Sequence, residues 1–265
     1  DMAPNRQQTY IVAGRRWTPR NANHSRYGQM VPLKWGLAQS NNWISAYLMS
    51  KLNPQQFVQL LRDYGINNPD IHASMSLCLG PCEVSVSEMV SAYTAFANHG
   101  IRTSPLFVSR IEDNEGNTIA TFQPRMSEVI SADNAMKMLT MLMGVVDQGT
   151  AGRLRYRYNM EGQIGAKTGT TNNNSDGWFI GFTPQLVTGC WVGGEDRDIH
   201  FDSMSMGQGA TMALPIWAIF MKKVYADPTL GFSPMEKFDI PADYNPCASQ
   251  TEDEFGEEGI DEVFE

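Results

Sequence analysis

The sequence predicts an α/β protein of the α+β type, in which an antiparallel sheet is covered by helices. Two observations favour this fold class. Apolar residues recur at helical spacing through much of the first 150 residues, and three β-prone runs joined by short turns follow Gly162. With 265 residues and 42% apolar content, the chain can bury a substantial core.

The N-terminal part predicts an irregular segment followed by a helical corner. The first thirty residues are rich in Asn, Arg, Pro and Gly, which is typical of a segment draped over a surface. Residues 33–38 have a helical pattern, and the pattern resumes over residues 43–52. Ser40 and Asn42 are therefore expected between two helices.

Two helices have both start and stop signals. An Asn-Pro pair at residues 53–54 opens the first, and Gly65 ends it. Ser85 and Glu88 have capping-box spacing at the start of the second, which Gly100 ends.

A hairpin and a long helix are predicted next. Residues 106–112 and 118–122 are β-prone and flank a turn cluster at residues 113–116. Ser131 then caps a methionine-rich helix that extends to about Val146.

The last third of the chain predicts a β-meander and a closing helix. The strands cover residues 163–170, 177–183 and 186–193, and their short connections require an antiparallel arrangement. A loop that contains two glycines leads to a helix over residues 211–224.

The net charge of −9 resides almost entirely in the C-terminal segment. Residues 251–265 contain eight acids and no Lys or Arg, so the rest of the chain is close to neutral. A near-neutral body has no electrostatic footprint for nucleic acid. We therefore expect a folded body over residues 1–246 and a disordered acidic tail over residues 247–265.

Cysteine and histidine positions predict neither a metal site nor an organic cofactor. The four cysteines and four histidines have no metal-ligand spacing. Cys78 and Cys82 could form a disulfide or remain two buried thiols, and both alternatives stay open. No run approaches the roughly 20 apolar residues of a membrane helix, so an anchor or targeting signal is expected outside the chain.

The segment Lys167-Thr168-Gly169-Thr170, at the end of the first meander strand, has the strongest chemical character. The lysine supplies a positive charge, the two hydroxyls can donate to a carboxylate, and the glycine lets a ligand lie against the backbone. The strand edge adds main-chain N–H groups that suit an oxyanion. Alone, the same residues would fit an exposed strand end.

Ser40-x-Asn42 gains meaning only when it is combined with the downstream lysine segment. Ser-x-Asn followed far downstream by Lys-Thr-Gly is the ordered signature of penicillin-binding proteins and serine β-lactamases. The chain resembles the transpeptidase domain of class A penicillin-binding proteins. The matching segments are Trp17-Thr-Pro-Arg-Asn, Tyr27-Gly28, Leu37-Ala38-Gln39-Ser40, Ser87-Glu88-Met89, Ala92-Tyr93, Ala97-Asn98-His99-Gly100, Gln148-Gly149-Thr150-Ala151, Gly165 to Thr171, Asp176 to Gly181 and Trp191-Val192-Gly193.

This resemblance implies a role for each residue of the two motifs. Ser40 would relay a proton near the attacking serine, and Asn42 would orient the catalytic lysine and the substrate amide. Lys167 would supply positive charge, and the hydroxyls of Thr168 and Thr170 would bind the substrate carboxylate beside Gly169. The Thr170 N–H would form half of an oxyanion hole.

One family motif is absent from the sequence. The family's nucleophile lies in Ser-x-x-Lys, and no serine here has a lysine three positions later. The resemblance implies that this motif lies upstream of Asp1 and that the penicillin-binding protein/serine β-lactamase-like fold is incomplete on its N-terminal side. We expect the chain alone to be inactive.

The resemblance also implies a substrate and a location. The complete protein would cross-link cell-wall stem peptides that end in D-Ala-D-Ala, would be inhibited by β-lactams, and would be tethered to the outer side of the cytoplasmic membrane. Two alternatives remain: a hydrolase of the D,D-carboxypeptidase or β-lactamase type, and a non-catalytic penicillin-binding scaffold.

Overall fold

The computed structural model describes residues 1–246, and it begins with short paired strands rather than an irregular segment. The first six elements are β1 (Met2–Pro4), β2 (Tyr10–Val12), β3 (Arg15–Trp17), β4 (Met30–Pro32), α1 (Leu33–Ala38) and α2 (Asn42–Met49). β1 pairs with β4, and β2 pairs with β3, both antiparallel. The sequence-based expectation for this segment was wrong because strands of three residues are too short to give an alternating pattern.

The next helices follow their predicted caps. They are α3 (Pro54–Asp63) and α4 (Val86–Ala97), with a 3₁₀ helix at Met75–Leu79 between them. Asn53 accepts hydrogen bonds from the N–H groups of the first turn of α3, and the Ser85–Glu88 capping box is complete. α2 ends three residues before the predicted position because Asn53 must be extended to cap α3.

The middle of the chain contains two small antiparallel strand pairs, one long helix and one short helix. The elements are β5 (Ile101–Thr103), β6 (Arg110–Glu112), β7 (Thr118–Thr121), β8 (Met126–Glu128), α5 (Ala132–Gln148) and α6 (Arg153–Tyr156). The predicted β6–β7 hairpin and the Ser131 cap of α5 are confirmed. β6 is shorter than predicted, and the preceding residues, Leu106 to Val108, are exposed.

The predicted meander and closing helix are confirmed. The elements are β9 (Gly165–Thr170), β10 (Asp176–Phe182), β11 (Val187–Gly193), α7 (Met204–Gly207) and α8 (Gly209–Ala226). The strand order is β11-β10-β9, so β9 and β11 are the edges of the sheet that the described residues form.

Helices cover both faces of this sheet, as the fold class predicts. On one face, Phe179 packs edge-on against Trp217 of α8, with ring centroids 5.4 Å apart. A Cβ at Gly181 would lie 2.5 Å from the Trp217 ring, so glycine is needed for α8 to approach. On the other face, Phe182 contacts Tyr93 of α4. α5 packs beside β9 and contributes buried side chains to the core on both sides.

Three of the four cysteines lie in the described residues as free thiols. Cys78 and Cys82 are half-buried and unpaired, so the structure takes the second of the two sequence-based alternatives. Burial raises the pKa of the Cys78 thiol to about 11, which keeps it protonated at neutral pH. The predicted acidic tail lies outside the described residues. Within residues 1–246, no helix is both long and apolar enough to span a membrane.

Candidate active site

Ser40 occupies a strained position at the end of α1. Its N–H donates to the Leu37 carbonyl at 3.0 Å, and the Asn41 N–H donates to the Gly36 carbonyl at 2.9 Å. These two bonds form a Schellman motif, whose left-handed residue is usually glycine. Ser40 holds that conformation with φ 51°, and its side chain is exposed. A non-glycine residue in this conformation destabilises the fold by about 1–2 kcal/mol, so the hydroxyl of Ser40 is a candidate for a functional role.

Asn41, to which the family motif assigns no catalytic role, fixes the other half of the corner. Its buried side chain accepts hydrogen bonds from the N–H groups of Trp43 and Ile44, both at 3.1 Å. The same side chain donates to Oδ1 of the fully buried Asn5 at 2.8 Å. Asn41 therefore caps α2 and ties the corner to the start of the chain. Its residue type, a favoured N-cap between two helical segments, was the available signal.

Asn42 is oriented toward the N-terminal segment rather than toward Lys167. Its Nδ2 donates to the Arg20 carbonyl at 2.7 Å, and its backbone N–H donates to Asn21 Oδ1, also at 2.7 Å. These bonds hold the segment after β3 against the first turn of α2. Asn42 is thus only two residues from Ser40 in the sequence, but its side-chain amide is bonded to the backbone of Arg20.

The side chains of Ser40 and Lys167 meet, although 127 residues separate them. Lys167 Nζ donates to Ser40 Oγ at 2.8 Å and to the Thr168 carbonyl at 2.9 Å. In the described part of the chain, no carboxylate forms an ion pair with Lys167. Burial lowers the pKa of Lys167 to about 8, because the ammonium form loses part of its hydration.

Thr168 and Thr170 point to the opposite face of β9 from Lys167. Successive side chains of a strand alternate between faces. The Thr168 hydroxyl is buried and shares a hydrogen bond of 2.7 Å with the Thr150 hydroxyl. The Thr170 hydroxyl accepts from the N–H of Gly209, at the start of α8, at 3.0 Å. Both hydroxyls thus already have protein partners, and neither lies beside the Lys167 ammonium.

The open edge of β9 presents main-chain groups next to Lys167. Thr171 donates its N–H to the Asp176 carbonyl at 3.2 Å. Because hydrogen-bonded pairs alternate along an antiparallel ladder, the N–H of Thr170 and the carbonyl of Thr168 point away from β10. The bond from Lys167 Nζ to that carbonyl agrees with this direction. Gly169 lies between these groups, and because it has no side chain, nothing projects from the Lys167 face of the strand at this position.

This arrangement is suited to proton transfer and to stabilising negative charge. A protonated Lys167 donates to the Ser40 oxygen and leaves the Ser40 O–H free to donate to a bound group. With a pKa near 8, Lys167 can also lose its proton close to physiological pH. The described residues include no cluster of three or more His, Cys, Asp or Glu that could hold a metal ion.

A family model and several known proteins are similar to this chain. The family model described as penicillin binding protein transpeptidase domain matches residues 4–190. Penicillin-binding protein 1A from Aquifex aeolicus (strain VF5) is 33% identical over 228 residues, which cover 86% of this chain and 30% of that protein. The chain therefore spans about a third of the length of that relative.

Solved structures share the fold. The crystal structure of penicillin-binding protein 1A from Haemophilus influenzae superposes with a TM-score of 0.79 at 24% identity and covers 91% of this chain and 40% of that one. The structure of the PonA1 protein from Mycobacterium tuberculosis in complex with penicillin V has a TM-score of 0.69 at 24% identity. The superposition covers 91% of this chain and 66% of that one.

Proposed function

The chain belongs to the penicillin-binding protein transpeptidase domain family, and from this membership we propose that it forms part of the active site of a peptidoglycan D,D-transpeptidase. The observation that carries the proposal is the 2.8 Å contact between Lys167 Nζ and Ser40 Oγ, which unites the two family motifs in space. Residues 1–246 form part of the transpeptidase domain, without its Ser-x-x-Lys motif, and the acidic tail over residues 247–265 takes no part in the reaction.

The reaction begins when a serine oxygen attacks the carbonyl carbon of the penultimate D-Ala of a stem peptide. The new C–O bond forms, the C–N bond to the terminal D-Ala breaks, and the serine proton moves to the departing amine. Ser40 relays that proton, and Lys167 stabilises the negative charge that develops during the transfer. An amine of a neighbouring stem peptide then attacks the acyl carbon and forms the C–N bond of the cross-link. The C–O bond to the serine breaks, and the proton of the amine returns to the serine oxygen.

Main-chain groups at the edge of β9 complete the electrostatic part of the mechanism. The outward N–H of Thr170 donates to the oxyanion of the tetrahedral intermediate, and the N–H of the attacking serine is the second donor. Gly169 lets the substrate backbone lie against the strand. Asn42 contributes to substrate orientation once its amide is released from the Arg20 carbonyl. The Thr170 hydroxyl accepts from the Gly209 N–H and can still donate its own O–H to the substrate carboxylate, and the Thr168 hydroxyl can do the same while it accepts from Thr150.

The attacking serine is supplied from outside these 265 residues, because no serine among them has a lysine three positions later. Ser40 does not replace it, since Lys167 donates to the Ser40 oxygen and so does not accept its proton in that state. The 265-residue chain alone is therefore not acylated. β-Lactams acylate the complete protein, because they mimic D-Ala-D-Ala. A structural relative bound to penicillin V supports this.

The complete protein acts outside the cytoplasmic membrane, where its peptidoglycan substrate lies, and a membrane tether precedes this domain. The near-neutral body gives nucleic acid no binding surface. Labelling intact cells with a membrane-impermeant reagent tests the location. Protection of the native protein until the cytoplasmic membrane itself is opened would contradict this location.

Penicillin labelling of the complete protein tests the proposed activity. We expect Lys167→Ala to reduce the second-order acylation rate by at least a hundredfold, because a charge used in the transition state is lost. Lys137→Ala is the matched control, since Lys137 lies on α5 in an exposed pair with Asp133. Truncation after residue 246 should leave the rate unchanged. Near-normal labelling of Lys167→Ala would refute the role of this lysine.

Analysis of the reaction products separates the three functions considered above. Incubation with stem peptides and mass spectrometry should yield cross-linked dimers. Exclusive formation of trimmed peptides would indicate a carboxypeptidase, and the absence of both products together with penicillin binding would indicate a scaffold.

A further inference from the structure

The loop between α5 and α6 contains a segment, Gln148-Gly149-Thr150-Ala151, that the proposed reaction leaves without a role. It contacts the C-terminal end of α1, two residues before Ser40. The Thr150 N–H donates to the Ala38 carbonyl at 3.0 Å, and Gln39 Nε2 donates to the Gln148 carbonyl at 2.8 Å. The bond from Thr150 satisfies one of the carbonyls that the end of α1 leaves without a helical partner.

Gly149 makes this contact possible. A Cβ at this position would overlap the Ala38 carbonyl oxygen and would crowd the Val145 carbonyl. Both are backbone atoms, so no flexible side chain could move aside to accommodate it. The loop therefore lies against α1 with its backbone, and the position of the helix end depends on the position of the loop.

Thr150 also contacts the strand that carries Lys167. Its hydroxyl shares a 2.7 Å hydrogen bond with the buried hydroxyl of Thr168, the residue after Lys167. Thr150 thus bonds to the Ser40 corner through its backbone and to β9 through its side chain. Among the described residues that lie outside these two segments, no other residue makes a hydrogen bond to both of them.

We propose that Thr150 is a positioning residue that sets the distance between Ser40 and Lys167. The proposal rests on the proposed function, because that distance matters only if the two side chains share a proton-transfer step. Without the Thr150–Thr168 bond, β9 and the end of α1 can shift relative to each other. A displacement of about 1 Å at reacting groups can reduce a rate about a hundredfold.

Four variants of the complete protein test this with labelled penicillin. Thr150→Val keeps the size and the backbone donor but loses the hydroxyl, and we expect acylation about ten- to a hundredfold slower. Thr150→Ser keeps the hydroxyl and should stay within about threefold of the natural rate. Thr140→Val is the matched control, since its hydroxyl bonds to the Lys137 carbonyl on the same helix, away from the site. Lys167→Met reports separately on the proposed function.

The pKa of Lys167 is a second readout, and it does not depend on the overall stability of the protein. With ¹³C-labelled lysine, the 265-residue chain should show a Lys167 pKa near 8. Thr150→Val should raise it toward the ordinary value because the ammonium becomes more hydrated, whereas Thr140→Val should not.

Acylation of Thr150→Val at the natural rate, with Lys167→Met inactive, would overturn the positioning role and leave the proposed function standing. Equal losses in the Thr140 and Thr150 variants, or an unchanged Lys167 titration, would also overturn it. Natural acylation of Lys167→Met would overturn the proposed function and this role together.

Discussion

The left-handed conformation of Ser40 allows strain and chemistry to be separated by two substitutions at one position. Both Ser40→Ala and Ser40→Gly remove the hydroxyl that accepts from Lys167 Nζ at 2.8 Å. Only glycine adopts φ 51° without a steric penalty from Cβ. The difference in stability between the two variants therefore reports the strain of the Schellman position, less the extra conformational entropy that glycine loses on folding.

We expect Ser40→Gly to be more stable than Ser40→Ala. The Cβ of alanine costs about 1–2 kcal/mol in the left-handed region. Glycine loses about 0.4–1 kcal/mol more conformational entropy on folding, which offsets part of this gain. The midpoints of these two ranges leave about 0.8 kcal/mol in favour of glycine, or about 2–3 °C in Tm for a domain of this size. At an ordinary helical position the order would be the reverse.

Urea unfolding of the 265-residue chain measures the stability difference, and penicillin labelling of the complete protein measures the chemistry. Both variants should lose acylation by the same factor, because both lack the hydroxyl. If Ser40→Ala were as stable as Ser40→Gly, the assignment of a strained corner would be wrong. If either variant were acylated at the natural rate, Ser40 would not relay the proton.

Three further predictions concern Lys167, Gly181 and Asn41. The folded pKa of Lys167 lies near 8 and its ordinary value is 10.5, so this lysine binds fewer protons in the folded chain between these values, and its contribution to the free energy of unfolding should rise with pH through that window. The raised pKa of Cys78 acts in the opposite direction above pH 9, so the natural chain is compared with Lys167→Met, in which Cys78 is unchanged. Lys167→Met should be more stable by at most about 3 kcal/mol at pH 7 and should lose this advantage as the pH rises through the window, and a difference that does not change with pH would refute the lowered pKa. Gly181→Ala should lower the free energy of unfolding by about 1–3 kcal/mol, because its Cβ would lie 2.5 Å from the Trp217 ring. Gly152→Ala is the control and should cost much less, since its Cβ would lie no closer than 3.3 Å to a neighbour. Equal Tm values for the two variants would contradict this. Asn41→Ala should cost about 2–4 kcal/mol, since it removes a helix cap and leaves Oδ1 of the buried Asn5 without its donor. Asn53→Ala removes an exposed cap alone and should cost about 1 kcal/mol, so equal losses in urea unfolding would mean that the Asn5 contact contributes nothing.

Local signals in the sequence were sufficient for most helices and for the meander. The Ser85–Glu88 capping box, the Asn53 cap and the strand pattern after Gly162 each describe interactions within a few residues, and each was confirmed. One consequence of the strand pattern was missed. Alternation in β9 already places Thr168 on the opposite face from Lys167, although the family roles suggested that both act on one ligand.

The fold class, the membership in the family and the two motifs that carry the chemistry could all be predicted from the sequence, because they depend on local pattern and on motif order. The contact between Lys167 and Ser40, the bond from the Asn42 amide to Arg20 and the connection of the two motifs by Thr150 became visible only in the folded chain. A polar side chain can bond to any group that packing brings within about 3 Å. Spacing along the chain does not specify which group that is when more than a hundred residues lie between the partners.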